Sequence, residues 1–129
     1  MADRIKGITI EIGGDTTGLS KALSGVNKEI KDTQTQLKDV NRLLKMDPGN
    51  TELLRQKYDL LNKSIDSTEK KLDTLKQAEK QVQDQFKRGK VSESQYNALK
   101  REVIATESNL KNLKSEAQKT DNAIRGIDE

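Results

Sequence analysis

The run Gly13-Gly14-Asp15-Thr16-Thr17-Gly18 lies between a strand-like and a helix-like segment, where phosphate-binding loops sit. Gly13 and Gly18 have the right separation, but the next residues are Leu19-Ser20, where a Walker A loop needs a lysine to hold phosphate. The stretch therefore reads as a hinge plus a helix N-cap from Asp15 or Thr17. Carboxylates that could act as acids or bases recur at helical spacing, as in Glu29 with Asp32 and Glu69 with Asp73. A general acid needs desolvation to move its pKa, and a chain this polar offers few places to bury one. Glu79 is the exception, expected to face Thr106 inside an apolar seam, where a polar residue fixes register at some loss of stability. Lys87, Arg88, Lys90, Lys100 and Arg101 gather near one turn and could touch phosphate. Without interleaved aromatics or a groove-reading motif, and with Glu93 and Glu102 among them, they read as a solvated tip.

Other chemistry is excluded by residue type. The chain has no Cys and no His, so disulfides, thiol nucleophiles, Cys/His zinc sites and Ser-His-Asp triads cannot form. No cofactor is expected. A pI of about 9.0 looks basic, yet 24 Lys and Arg face 21 Asp and Glu for a net charge of +3, which argues weakly for a polyanion. No apolar run approaches the roughly 20 residues of a membrane helix or the core of a signal peptide, so the expectation is a soluble, cytoplasmic start without membrane contact.

Such residues must be positioned by a fold with little core. Over 129 residues, hydrophobic side chains make up 31%, aromatic 2% and charged 35%, against about 45–50% apolar in globular chains. A thick core is ruled out, leaving disorder or thin helical packing, and apolar periodicity decides for the latter. Ile8, Ile10 and Ile12 alternate with Thr9 and Glu11 as in a half-buried strand that Gly13-Gly14 closes. A lone strand leaves its backbone groups unpaired, which points to an assembly contact or mobility. From Leu19, apolar positions and Thr33 step by four and three through Leu23, Val26, Ile30, Leu37, Val40 and Leu44, a heptad pattern.

Met46-Asp47-Pro48-Gly49-Asn50 breaks that pattern. It resumes from Leu54 through Thr68 to Phe86, stops at Lys87-Arg88-Gly89-Lys90, and runs on from Tyr96 through Thr106 and Thr120 to Ile127. Ser92 with Gln95 reads as a capping box and Val91 with Tyr96 as a hydrophobic staple. The expected fold is all-α: long antiparallel helical hairpins forming a three-helix coiled-coil bundle, preceded by one short N-terminal β-strand. Residues 1–14 form the strand and Gly-Gly hinge and 15–129 the bundle, with helices at about 17–45, 51–87 and 92–127. The heptad is still in phase at Asp128-Glu129, so a longer parent is expected.

Charges suggest a register in which Leu75 faces Leu110 and Leu72 faces Leu113, placing Glu69 near Lys114, Lys76 near Glu107 and Lys71 near Glu116. With Leu44 opposite Leu54 and Leu23 opposite Leu75, the first helix runs out near Glu79. Beyond it Val82, Phe86, Tyr96, Leu99 and Val103 should form a two-helix overhang with one side uncovered, the expected self-association surface. Ile8, Ile10 and Ile12 complete the set of expected interaction residues.

The segment from Ile8 to about Ile65 resembles the N-terminal region of phage tail tape measure proteins from siphophages and prophages of Gram-positive bacteria. The resemblance is carried by Ile8-Thr9-Ile10-Glu11-Ile12-Gly13-Gly14-Asp15-Thr16-Thr17-Gly18-Leu19, by Val40-Asn41-Arg42-Leu43-Leu44-Lys45, and by Met46-Asp47-Pro48-Gly49-Asn50-Thr51-Glu52-Leu53-Leu54. It covers a little under half of the chain, and the helices beyond match only as generic coiled coil. It implies a non-enzymatic, rod-like virion protein that fills the tail lumen, sets tail length and is ejected at infection. Its implied partners are further copies and tail tube or tail assembly proteins, met in the host cytoplasm and then in the virion tail lumen. Members of that family are commonly much longer and carry downstream hydrophobic segments absent here, as an N-terminal part of a longer parent would be. Two other readings follow from the residues alone. One is a small helical scaffold or exported helical-hairpin interaction protein, although the familiar exported hairpin carries Trp-x-Gly at its turn and this chain has no Trp. The other is a weak nucleic-acid binder through the basic turn.

Overall fold

The computed structural model describes residues 5–128, with side chains through 127. The chain opens with a β-hairpin in which β1 (Thr9–Ile12) and β2 (Asp15–Gly18) pair antiparallel, Ile10 opposite Thr17 and Glu11 opposite Thr16. Between them Gly13 and Gly14 adopt φ of 59° and 87°, the two positive-φ positions of a type I′ turn, which residues with a Cβ resist. This corrects the expected single strand and hinge: the glycines form a turn, and Asp15 and Thr17 belong to a second strand instead of capping a helix. The β-branched Thr16 and Thr17 suit that strand. The next helix starts at Leu19 with Gly18 as its N-cap and no side-chain cap bond. Leu19 N–H donates to the Ile8 carbonyl at 2.8 Å, so the hairpin ladder runs directly into the helix.

Three long helices follow: α1 (Leu19–Met46), α2 (Thr51–Lys87) and α3 (Glu93–Asp128). With 28, 37 and 36 residues they span about 42, 55 and 54 Å. Local chemistry sets both breaks. Asn50 Oδ1 accepts from Leu53 N–H at 3.0 Å and caps α2. At the far end of α2, Lys90 N–H donates to the Gln85 carbonyl and Gly89 N–H to that of Phe86, at 2.9 and 3.0 Å. With Gly89 at φ 73°, this is a Schellman stop. The capping box of α3 is closed from both sides: Ser92 N–H donates to Gln95 Oε1 at 2.8 Å, and Gln95 N–H donates to Ser92 Oγ at 3.1 Å.

The middle helix α2 packs against both α1 and α3, while no Cα of α1 comes within 8 Å of one of α3 among the described residues. Burial on α2 follows the heptad at Leu54, Leu61, Thr68, Leu75 and Val82. The core is divided. One apolar cluster joins Leu19, Leu23, Leu75, Val82, Leu99 and Val103 with the hairpin's Ile8 and Ile10. A smaller one joins Leu37, Leu61 and Ala117. Between them lies a layer of small buried polar side chains, Thr33, Ser64, Ser67, Thr68 and Thr106. Thr33 Oγ1 donates to the Glu29 carbonyl at 2.9 Å and Ser67 Oγ to Glu29 Oε2 at 3.2 Å. Thr68 Oγ1 has no partner.

The expected pairing of α1 with α2 agrees with the clusters, which hold Leu23 with Leu75 and Leu37 with Leu61. That of α2 with α3 needs correction. Lys76 does reach Glu107, at 3.8 Å, but Glu116 lies 3.9 Å from Lys57 instead of meeting Lys71. Leu61 shares the smaller cluster with Ala117, one heptad from a register with Leu75 opposite Leu110, while the larger cluster holds Val103 with both Leu75 and Val82. Exposed ion pairs contribute only about 0.2–1 kcal/mol each, too little to outweigh the register that buries Leu99 and Val103 beneath the hairpin.

Candidate functional site

The end of the α2–α3 pair beyond the reach of α1 is where sequence reasoning expected an uncovered apolar strip. The hairpin covers it. Ile8, Ile10, Val82 and Leu99 are fully buried and Val103 nearly so, in one cluster with Ile5 and Val91. Each such side chain withdrawn from water contributes roughly 1.5–3 kcal/mol, more than the hairpin's own ladder provides. Of the residues expected to mediate interaction, Ile8, Ile10, Val82, Leu99 and Val103 are thus core of the single chain. Ile12 and Phe86 remain exposed, and Tyr96 is half-buried. Phe86 and Tyr96 form a tilted ring pair with centroids 5.2 Å apart at the margin of the cluster.

Three glutamines hold the hairpin in place. Gln81 of α2 accepts from Glu11 N–H at 2.7 Å and donates to the Glu11 carbonyl at 3.0 Å. Gln85, one turn on, donates to the Thr9 carbonyl at 2.8 Å. Three outward groups of β1, the Glu11 N–H and carbonyl and the Thr9 carbonyl, are therefore satisfied by side-chain amides, much as a third strand would satisfy them. From α3, Gln95 donates to the Lys6 carbonyl at 2.8 Å while its Oε1 serves the capping box, so one side chain joins the helix start to the turn that precedes β1. None of the three was singled out as a hairpin ligand from sequence. Their only local signal is the spacing of Gln81 and Gln85, which places both on one face of α2.

The candidate chemical groups are dispersed. Glu79 does not face Thr106. It is half-buried in an open groove with Lys76, Tyr96, Lys100 and Glu107, whereas Thr106 lines a different groove with Ile30 and Thr68. The polar positions inside the seam are the serines and threonines of the middle layer, which are small enough to lie beneath neighbouring helices. In the basic turn, Arg88 pairs with Asp84 at 3.2 Å and Lys100 sits 4.3 Å above the Tyr96 ring, so those two cations are engaged within the chain. Glu69 and Asp73 lie exposed, and Asp73 accepts from Gln77 at 3.1 Å. Among the described residues no helix is long and apolar enough to cross a membrane. No protein-family model matches the chain, and no curated protein or solved structure is significantly similar to it.

Proposed function

We propose that this chain is a structural assembly module, the N-terminal helical part of a phage tail tape measure protein. The observation that carries this reading is the combination of motifs in one order: the Ile8–Leu19 opening with its Gly-Gly-Asp, a single helix, then Asp47-Pro48-Gly49-Asn50-Thr51 leading into Leu53-Leu54. The geometry agrees with a mechanical role. Helices of about 42–55 Å with a thin, partly polar core suit a rod, and we read them as a coiled-coil bundle with the hairpin closing one end. In this reading the chain acts by filling and spacing the tail tube, in several copies and against tube or assembly proteins, and not by catalysis. It is built in the host cytoplasm and ends in the virion tail lumen.

The test is genetic and physical. In a phage or prophage carrying this reading frame, deletion of residues 5–128 should abolish tails or leave them without a defined length in electron micrographs. Peptides from the segment should appear by mass spectrometry in purified tails. Tails of normal length from the deletion strain, and no such peptides in wild-type virions, would overturn the reading.

A further inference from the structure

The hairpin has two edges, and only one is closed. Glu11 directs its N–H and carbonyl outward to Gln81, so the Glu11–Thr16 pair is a non-hydrogen-bonded one. By the alternation of antiparallel ladders, Thr16 then points its own N–H and carbonyl away from β1. Gly18, opposite Thr9, directs its N–H the same way. Among the described residues no hydrogen bond reaches these outward groups. Asp15, Thr16 and Gly18 are exposed. Among the described residues no Cα of an element other than β1 and α1 comes within 8 Å of β2, and Thr16 borders an open groove with Gln81, Asp84 and Gln85 of α2. The edge carries no Pro, no Lys and no bulge, the devices that usually keep an edge strand from pairing.

We infer that the β2 edge is a strand-addition site whose occupant is the β2 edge of a second copy of this chain, paired antiparallel about a two-fold axis through Thr16. The axis is selected by hydrogen bonding and charge. Centred on Thr16, each Thr16 N–H donates to the other Thr16 carbonyl, and Asp15 of one chain lies opposite Thr17 of the other. A centre at Asp15 sets two carboxylates face to face. A centre at Thr17 aims the Thr16 N–H at the Gly18 carbonyl, which as an N-cap already accepts the first bond of α1. The product is a sheet of order β1-β2-β2-β1 with glutamines sealing both outer edges, so pairing stops at two chains. This inference stands on the hairpin geometry and does not depend on the tail reading.

The contact is small, so association is expected to be weak and visible by sedimentation velocity only toward about 1 mM chain. Thr16→Pro removes the outward N–H without touching the inner ladder, since a strand proline is tolerated where its nitrogen faces solvent. Thr16→Lys places like charges across the axis. Each should weaken association roughly tenfold or more, with helicity unchanged. Because the chain has no Cys, Thr16→Cys gives an independent readout. Facing Cα atoms about 5.5 Å apart lie within disulfide reach, so mild oxidation should give a covalent dimer, and Asn109→Cys should not. A wild-type chain monomeric throughout that range overturns the inference. So does association that survives both Thr16→Pro and Thr16→Lys, or equal cross-linking of Thr16→Cys and Asn109→Cys, because the contact then lies on another surface.

Discussion

The side-chain amide of Gln81 binds both backbone groups of Glu11, accepting from the N–H at 2.7 Å and donating to the carbonyl at 3.0 Å. A residue of α2 thereby takes the place of a neighbouring strand. Gln81→Ala should destabilise the chain by about 1–2 kcal/mol for two partly solvated bonds. Amide exchange at Glu11 should quicken while the middle of α2 stays protected. Unchanged exchange at Glu11 would show that the amide clamp does not hold the strand.

Gln95 serves two structures at once, and two substitutions separate them. Ser92→Ala removes one half of the capping box and should cost about 1 kcal/mol, fraying the start of α3. Gln95→Glu keeps the acceptor for Ser92 N–H but loses the donor to the Lys6 carbonyl. It should loosen residues 6–12 and leave the first turn of α3 intact. Amide exchange resolved by residue distinguishes the two patterns, and equal fraying of α3 in both variants would contradict the division of labour.

Leu99 and Ile104 lie on the same helix with opposite fates, one fully buried under the hairpin and the other 66% exposed. Leu99→Ala should cost roughly 2–5 kcal/mol and Ile104→Ala less than about 0.5 kcal/mol in urea unfolding. A mild effect at Leu99 would mean that the hairpin does not cover this end in solution.

Thr68 occupies the middle layer with a buried hydroxyl that lacks a partner. Thr68→Val keeps the shape and removes the unpaired group, so it should raise stability by about 1 kcal/mol or more. A loss of stability would show that the hydroxyl finds a hydrogen bond in solution.

How far the residues announced this arrangement depends on the distance over which each feature acts. Helix boundaries and the capping box were legible because Pro48, Gly89, Ser92 and Gln95 act on residues a few places away, and heptad spacing named Thr33, Thr68, Thr106 and Thr120 as buried despite their polarity. The second strand was missed because Asp15-Thr16-Thr17-Gly18 carries no alternating apolar side chains. Its pairing is set by the Gly13-Gly14 turn, a signal readable as a hinge or as a hairpin. The covered end was missed for a different reason. Gln81, Gln85 and Gln95 look like ordinary surface residues until the chain returns to them from far away, and exposed charges such as Glu116 discriminate too weakly between helix registers.

The tie between Gln95 and Lys6 spans 89 residues of chain, and this imposes an order of events at the ribosome. At about 5–20 residues per second, Lys6 leaves the exit tunnel roughly 4–18 s before Gln95 follows it out. Until Gln81 and Gln85 of α2 emerge, the edge of β1 has no glutamines to satisfy it. Until α3 follows, the cluster that Ile8 and Ile10 enter lacks Leu99 and Val103. The hairpin, made before all three helices, is thus among the last elements to reach its final place. A chain cut short within α2, before Gln81, would present both edges of the hairpin to its neighbours.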